Sequence, residues 1–445
     1  MAGTDLRTQA AAPDALPGTF AARALMERLF AGVRAPVAVR LADGTPLYVP
    51  SGAANTIVVI RHPGVIRSLL TRSSDLAAGE SLVRGEIDVL GDAESAFAAF
   101  DEIAHVRSAA DWAAILAAAT GLPSAPAPRV RERSRGRARL RGRVHSLDRD
   151  RAAIAYHYDV SNEFYALWLD RDLTYSCAYF HDASETLDEA QRNKYEHICR
   201  KLRLVPGERL LDIGCGWGGL VRYAAREHCA NAVGITLSEK QADYARARVA
   251  AEGLAERCRI ELVDYREMAP LGAFDKAVSV GMVEHVGDAF LPVYFDSVAS
   301  ALKPGGLFLN HGIVTQKPKG RGLGARFFPQ RSLFIESYVF PDGELPRLAA
   351  MTEAASESGF ELRDLENLRE HYALTLRRWV SGLESHETRA RELVGDETYN
   401  VWRFYMAGSA HGFAAGRQGV VQMLLAKPMP DGRATVPLTR ADLYA

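Results

Sequence analysis

Four glycines, Gly214, Gly216, Gly218 and Gly219, fall within six positions of the segment RLLDIGCGWGG, residues 209–219. Glycine lets backbone approach a bound molecule where a Cβ would clash. Ahead of the glycines, Leu210, Leu211 and Ile213 suit a strand buried on both faces, with Asp212 near its end. Residues 220–227 read as a helix. Strand, glycine-rich turn and helix is how an α/β sheet opens its ligand crevice. Upstream, residues 155–180 gather Tyr156, His157, Phe164, Trp168, Tyr175, Tyr179 and Phe180, with Cys177 among them.

The turn has two readings. Gly214, Gly216 and Gly219 fit G-x-G-x-x-G, the dinucleotide fingerprint. Asp212 with the same glycines also fits D-x-G-x-G-x-G, the loop of S-adenosylmethionine-dependent methyltransferases. A nicotinamide site wants an acid at the end of the next strand for the ribose hydroxyls. That strand, 232–237, meets no acid until Glu239. The upstream aromatics either fill a core or line a pocket for an apolar substrate or a sulfonium.

A chain of 445 residues predicts two or three domains. Hydrophobic content of 48% and charged content of 24% exclude a disordered or fibrous chain. No apolar run approaches the roughly 20 residues of a membrane span, and the first residues lack the order of a signal peptide. The five cysteines, at 177, 199, 215, 229 and 258, form no C-x-x-C pair. They favour a reduced, cytoplasmic chain with neither a disulfide framework nor a metal site. The net charge of −1 conceals a basic strip: eight arginines against Glu132 within 129–143 carry +7, leaving −8 elsewhere. Such a strip suits an anionic surface. It has no interleaved aromatics for base stacking, so nucleic acid is not expected. A solvated linker is its plain alternative.

In chain order, 1–19 read as a disordered N-terminus and 20–120 as a small α+β domain. The latter has a helix at 20–31, strands within 37–60 turning at Asp43-Gly44, and an Ala-rich helical stretch at 93–119. A Pro/Arg-rich linker follows at 121–150. Residues 151–445 then take up α/β rhythm. Thr186 and Glu189 form a capping box for a helix towards Leu204, and Ser238 and Gln241 a second for a helix towards Ala251. Strands are expected at 259–264, 274–280 and 307–314. An insertion occupies 317–342. A helix at 344–358, a strand at 361–365, a long helical region at 371–415 and a strand at 419–425 close the chain. The expected fold is α/β: a class I methyltransferase (Rossmann-like) seven-stranded sheet, one late strand antiparallel, with a small N-terminal α+β domain.

Several motifs occur together: HYDVSNEFYALWL, YSCAYF, LLDIGCGWGG, QADYARAR, VDYRE, SVGMVEHVG, LKPGG, FIESYVFPDGELP, REHYALTLRRW and AGSAHGFAAGR followed by VVQMLLAKP. By these, residues 151–428 resemble the cyclopropane-fatty-acyl-phospholipid synthase family. GESLVRGEIDVLGD gives the front domain a looser likeness to its bacterial members. The resemblance implies transfer of a methylene from S-adenosylmethionine to a cis double bond of a phospholipid acyl chain, with bound bicarbonate as base. By matched motif, the bicarbonate holders are Cys177, Glu284, His311 and Tyr372, with backbone from Ile313. The cofactor residues are Tyr175 and Ser176 at the methionine end, Asp212, Gly214, Gly216 and Gly218 in the loop, Thr236 and Gln241 at the ribose, and Asp264, Tyr265 and Arg266 at the adenine edge. A homodimer, peripheral attachment to the membrane and a lipid-binding or dimerising front domain are further implications.

These residue types make chemical sense. An alkene is a feeble nucleophile, so proximity must do much of the work. Attack leaves a carbocation, which a dry, apolar chamber protects from water. A hydrogen-bonded anion can remove the proton. Tyr372, His311 and backbone N–H can donate to it, and Glu284 can accept. Each also has an ordinary reading: Cys177 as small core filler, Glu284 as a helix cap, His311 as a satisfied core histidine, Tyr372 as helix packing. His285, beside Glu284, is an open case. The chain departs from the family pattern at Gly312, where Thr is frequent, and at Ser161, where Gly is common. Related branches yield a methylene- or methyl-branched chain from the same residues, so a fatty-acyl C-methyltransferase is the alternative.

Overall fold

The computed structural model describes residues 16–72, 75–126, 137–138, 140–158, 160–316, 332–434 and 436–443. Residues 1–15, the arginines at 129, 131, 133, 135 and 139, and most of the insertion at 317–342 lie outside the described residues. The chain divides into two compact units, one from the described parts of 1–137, 318–339 and 387–411, the other from the remainder.

In the first unit, helix α1 (Thr19–Phe30) precedes strands β1 (Val37–Leu41), β2 (Pro46–Tyr48) and β3 (Thr56–Ile60). Helices α2 (Pro63–Arg72) and α3 (Asp75–Val83), strand β4 (Ile87–Gly91), and helices α4 (Ala93–Val106) and α5 (Ala109–Thr120) follow. The sheet order is β2-β1-β3-β4. The expected Ala-rich helical stretch consists of two helices, because Ser108 and Asp111 form a capping box that starts α5 afresh.

The second unit opens with helices α6 (Leu147–Tyr158), α7 (Asn162–Ala166) and α8 (Leu187–Lys201). Then β5 (Arg209–Ile213), α9 (Gly219–Glu227), β6 (Asn231–Thr236), α10 (Glu239–Ala251), β7 (Cys258–Leu262), β8 (Phe274–Val280), α11 (Leu291–Ala301) and β9 (Leu302–Thr315) alternate. Helix α12 (Leu333–Tyr338) belongs to the first unit. Helices α13 (Leu348–Glu357) and α14 (Arg369–Ser385) flank β10 (Glu361–Asn367), and α15 (Glu387–Ala414) leads into β11 (Gln418–Ala426).

The sheet order is β10-β11-β9-β8-β5-β6-β7. Strands β9 to β7 run parallel, and β11 is antiparallel to both its neighbours. The expected single antiparallel strand is thus β11. The order reverses between β5 and β8, the place where an open α/β sheet parts its loops for a ligand. Side-chain alternation sorts the sheet into two faces. Leu210, Leu309 and Leu424 pack with α8 and α9, while Leu211, Phe308 and Met423 pack with α11 and α13. By the same alternation, Asp212, His311 and Gln422 take the α8 face.

Thr186 and Glu189 make the expected capping box. Ser238 caps α10 through Gln241 N–H, but the second box is only half made. The Gln241 side-chain oxygen instead accepts from Thr236 Oγ1 at 2.9 Å. The long helical region expected over 371–415 is interrupted at His386 and again at Gly395, where φ 79° and ψ 164° leave the helical region. Residues 387–411 also leave the expected catalytic domain, since they pack in the first unit. There Arg403, buried on α15, donates to the Val89 carbonyl of β4 at 3.0 Å.

Candidate active site

The glycine turn begins where β5 ends. Gly214, Gly216 and Gly218 have φ of 81°, 55° and 80°, which L side chains rarely adopt. Gly214 and Cys215 both donate N–H to the Ile235 carbonyl at 2.9 Å, tying the turn to β6. A cavity opens in front of it. Its wall takes Gly214, Gly216 and Gly219 from the turn, Thr236 and Leu237 from the end of β6, Asp264, Tyr265 and Arg266 after β7, and Gly281, Met282 and His285 after β8. Tyr175 and Ser176 line it from the other side.

Ten of the eleven expected cofactor residues therefore meet in one crevice: Tyr175, Ser176, Asp212, Gly214, Gly216, Thr236, Gln241, Asp264, Tyr265 and Arg266. Gly218 is the exception. It caps α9, and a Cβ there would come 2.9 Å from Ala245 Cβ, so it serves the approach of α9 to α10. A Cβ on Gly216 would meet nothing within 4 Å, which marks the turn's open side. Where the dinucleotide reading needs an acid, the wall carries Leu237. The Asp264–Arg266 group, expected at the adenine edge, is braced from within. Arg266 grips both Asp264 oxygens, Nε to Oδ1 at 2.7 Å and Nη2 to Oδ2 at 2.8 Å, and also reaches Asp150 at 2.9 Å. Its guanidinium is held charged chiefly by that Asp264 fork.

Helix α8 holds the Tyr175-Ser176 strap. Gln191 Nε2 donates to the Ser176 carbonyl at 2.9 Å, and Lys194 Nζ donates to Ser176 Oγ at 2.8 Å. Asp212 lies at the floor, 3% exposed, and burial pushes its carboxyl up to about 7 against the pull of Lys194. Sequence reasoning missed Lys194, Asp150, Asp172, Trp217 and Met282, all in the wall. Lys194 stands four residues from Ala190 and four from Ile198, a buried helical stripe that could have exposed it. Trp217 Nε1 donates to Asn162 Oδ1 at 2.9 Å, joining the turn to the HYDVSN segment. The neighbouring aromatics divide: Tyr165 and Trp168 are core, and Tyr175 lines the cavity. His285 also lines the cavity, and burial drives its imidazole down to about 4.

Cys177, Glu284, His311, Ile313 and Tyr372 do not line this cavity; Cys177 and Glu284 adjoin the wall residues Ser176 and His285 in sequence. Glu284 Oε1 accepts from Ile313 N–H at 2.7 Å, while Oε2 is buried with no protein partner. Burial raises the Glu284 carboxyl to about 7 despite that hydrogen bond. The His311 carbonyl accepts from Gly281 N–H of the wall at 2.8 Å. His311 Nδ1 lies 3.2 Å from Gln422 Nε2, and Nε2 is buried without a partner. Burial keeps this imidazole neutral. Opposite Ile313 in register is Val420, whose carbonyl takes the Leu368 N–H at 2.8 Å. The Leu368 carbonyl accepts from Tyr372 N–H at 3.0 Å and faces the Cys177 thiol at 3.8 Å. The β9 backbone thus links Glu284 and His311 through Ile313, and the Leu368 carbonyl links Tyr372 to Cys177. Tyr372 packs its ring 4.6 Å from Phe413 and edge-on to Trp379. Burial pushes the Cys177 thiol far up, so it stays protonated.

Comparison with known proteins agrees with this geometry. The family described as mycolic acid cyclopropane synthetase matches residues 145–423. A protein of Pseudomonas putida named probable fatty acid methyltransferase is 42% identical over 413 residues, covering 92% of this chain and 96% of the relative. Cyclopropane mycolic acid synthase 1 of Mycobacterium tuberculosis is 36% identical over 280 residues, 62% of this chain and 97% of the relative. The solved structure of mycolic acid cyclopropane synthase CmaA1 complexed with SAH and CTAB superposes with a TM-score of 0.60 at 36% identity, covering 62% of this chain and 98% of that one. MmaA2 of M. tuberculosis gives 0.58 at 34% identity, covering 62% of this chain and 98% of that one. The glycine-walled crevice and its polar rim fit S-adenosylmethionine, and the chain belongs to the mycolic acid cyclopropane synthetase family of S-adenosylmethionine-dependent methyltransferases.

Proposed function

We propose that the enzyme adds a methylene across a cis double bond of a phospholipid acyl chain and closes a cyclopropane ring. The observation that carries this reading is the Glu284 carboxyl, with one oxygen fixed by Ile313 N–H and the other buried and unsatisfied. A buried acceptor without a donor is costly unless a ligand supplies one. His311 Nε2, also orphaned, offers the complementary group when its tautomer places the proton there. An acceptor and a donor of this kind, with Tyr372 and Cys177 as the other expected holders, suit bicarbonate, which would supply a small base for the departing proton.

S-adenosylmethionine supplies an electrophilic methyl. The residues of the chain keep the surroundings poor in nucleophiles. Cys177 is held as a thiol, so no thiolate competes for a cationic carbon, and His311 is uncharged, so it adds no like charge beside that carbon. Ile313 N–H fixes one Glu284 oxygen, which orients the other to accept a hydrogen bond from the anion's OH. The arginine-rich stretch at 129–143 would dock the enzyme on the anionic surface where such lipids lie. A second reading, a methyl- or methylene-branched fatty acyl product, is favoured by the name of the P. putida relative, which aligns along nearly its whole length. The test incubates the full chain with S-adenosylmethionine and vesicles of cis-unsaturated phospholipid. A gain of one CH2 with olefin lost and cyclopropyl protons by NMR supports the first reading. Branch signals support the second. No mass gain on several lipids overturns both.

A further inference from the structure

Helix α8 buries a lysine in the cofactor cavity. Lys194 is 1% exposed and lines the wall beside Ser176, Asp212 and Gly214. An ammonium has three protons to place, and Nζ places one on Ser176 Oγ at 2.8 Å. Among the described residues no carboxylate comes within ion-pair distance of it. Asp212, on the same face of the sheet, is likewise buried in the wall without an ion-pair partner. Burial weakens both charges: the lysine is driven down to about 8 against its attraction first to the buried Asp170 and less to Asp212, and the aspartic acid is pushed up to about 7 against its attraction to Lys194. Two opposite buried charges, held apart in one wall, are the complement of a zwitterion. A ligand carrying both an ammonium and a carboxylate satisfies them together, whereas a ligand with neither leaves both unpaired.

We propose that Lys194 binds the α-carboxylate at the amino-acid end of the cofactor, with Asp212 receiving its ammonium, so that the Lys194–Ser176 pair fixes the end next to the transferred group. The inference rests on the reading that this cavity holds S-adenosylmethionine. It goes further by making the chain select against adenosine ligands that lack the amino acid. It also accounts for a lysine deep in α8, a position otherwise suited to an apolar side chain.

The test is calorimetric binding to the full chain, using S-adenosylhomocysteine and 5′-methylthioadenosine, which keeps the nucleoside and thioether but has no amino-acid end. For Lys194→Met the expected result is an affinity for S-adenosylhomocysteine lowered by about tenfold to a hundredfold, the worth of a buried charge-assisted hydrogen bond. Affinity for 5′-methylthioadenosine stays the same, which also reports that the variant is folded. Lys194→Arg recovers part of the loss. An equal loss for both ligands assigns Lys194 a structural role and overturns the proposal, as does unchanged S-adenosylhomocysteine affinity. Bicarbonate titrated into the cofactor-free proteins separates the two sources of an anion. A Lys194-dependent bicarbonate response with unaltered S-adenosylhomocysteine binding overturns the proposal. A wild type that binds neither adenosine ligand defeats the cofactor reading itself, a distinct outcome.

Discussion

Glu284 on the turn after β8 accepts a 2.7 Å hydrogen bond from the backbone of Ile313 on β9, and its second oxygen remains buried and unsatisfied. The residue therefore has a fixed end and an available one. Glu284→Gln keeps the shape and removes the charge. Turnover is expected to fall by about a hundredfold, the lower range for a lost acid–base partner, with cofactor binding intact. The pH profile gives a second check. The folded carboxyl is raised to about 7 from 4.5, so it binds its proton more tightly than in the unfolded chain. Its contribution to stability is complete below 4.5 and is lost as pH rises to about 7. Denaturant unfolding should show wild type losing stability relative to Glu284→Gln across that window and running parallel above it. Wild-type turnover should climb through the same range as the carboxylate forms. A flat stability difference would count against the raised carboxyl.

Gly312 and Val283 set how closely that turn approaches β9. A Cβ on Gly312 would overlap Val283 Cγ1, and these two residues adjoin Ile313 and Glu284. Gly312→Thr, the residue frequent in the family pattern at this position, is expected to cost about 1–3 kcal/mol as an overpacked site and to depress turnover by shifting Glu284. Val283→Ala in the same chain should restore most of both. Denaturant unfolding and turnover of the two single variants and the double variant measure the coupling. Additive losses would show that the two side chains do not share the space.

The parallel strands and the glycine turn could be read in advance because their signals are local: apolar runs of strand length, and glycines where φ turns positive. Gly218 shows the limit of that reading. Its φ matches its neighbours, yet its close contact is Ala245, a fact about how α9 meets α10 and not about the turn. Lys194 was hidden for a related reason. In QRNKYEHICRK it looks like one more solvated charge, and only the helical phase of Ala190 and Ile198 turns it inward. The break at Gly395 and the departure of 387–411 to the first unit depend on long-range packing, so periodicity alone runs the helix on. The resemblance named Cys177, Glu284, His311 and Tyr372, while the approach of the turn after β8 to the end of β9 depends on strand register and long-range packing.

A last prediction concerns Glu366 on β10, which joins α8 to the sheet. Its Oε2 accepts from His197 Nε2 at 2.7 Å and from Lys201 Nζ at 2.6 Å. Tyr179, two residues after Cys177, stacks its ring 4.2 Å from His197 and 4.8 Å from His371, which precedes Tyr372. Burial alone would raise the Glu366 carboxyl, but these partners outweigh it and hold it at about 2. The sign is opposite to that of Glu284. The unfolded chain binds this proton more tightly, so the contribution is present above 4.5 and is lost as pH falls towards 2. Glu366→Gln should be less stable than wild type at neutral pH, with the gap closing in acid. Among the described residues, Lys201 would then keep Asp364, at 3.3 Å, as its ion-pair partner. Because the stack reaches His371, the neighbour of Tyr372, the variant should also lose some turnover near neutral pH while S-adenosylhomocysteine affinity is retained. Acid unfolding curves of the two proteins that fail to converge would remove Glu366 from the acid-sensitive set.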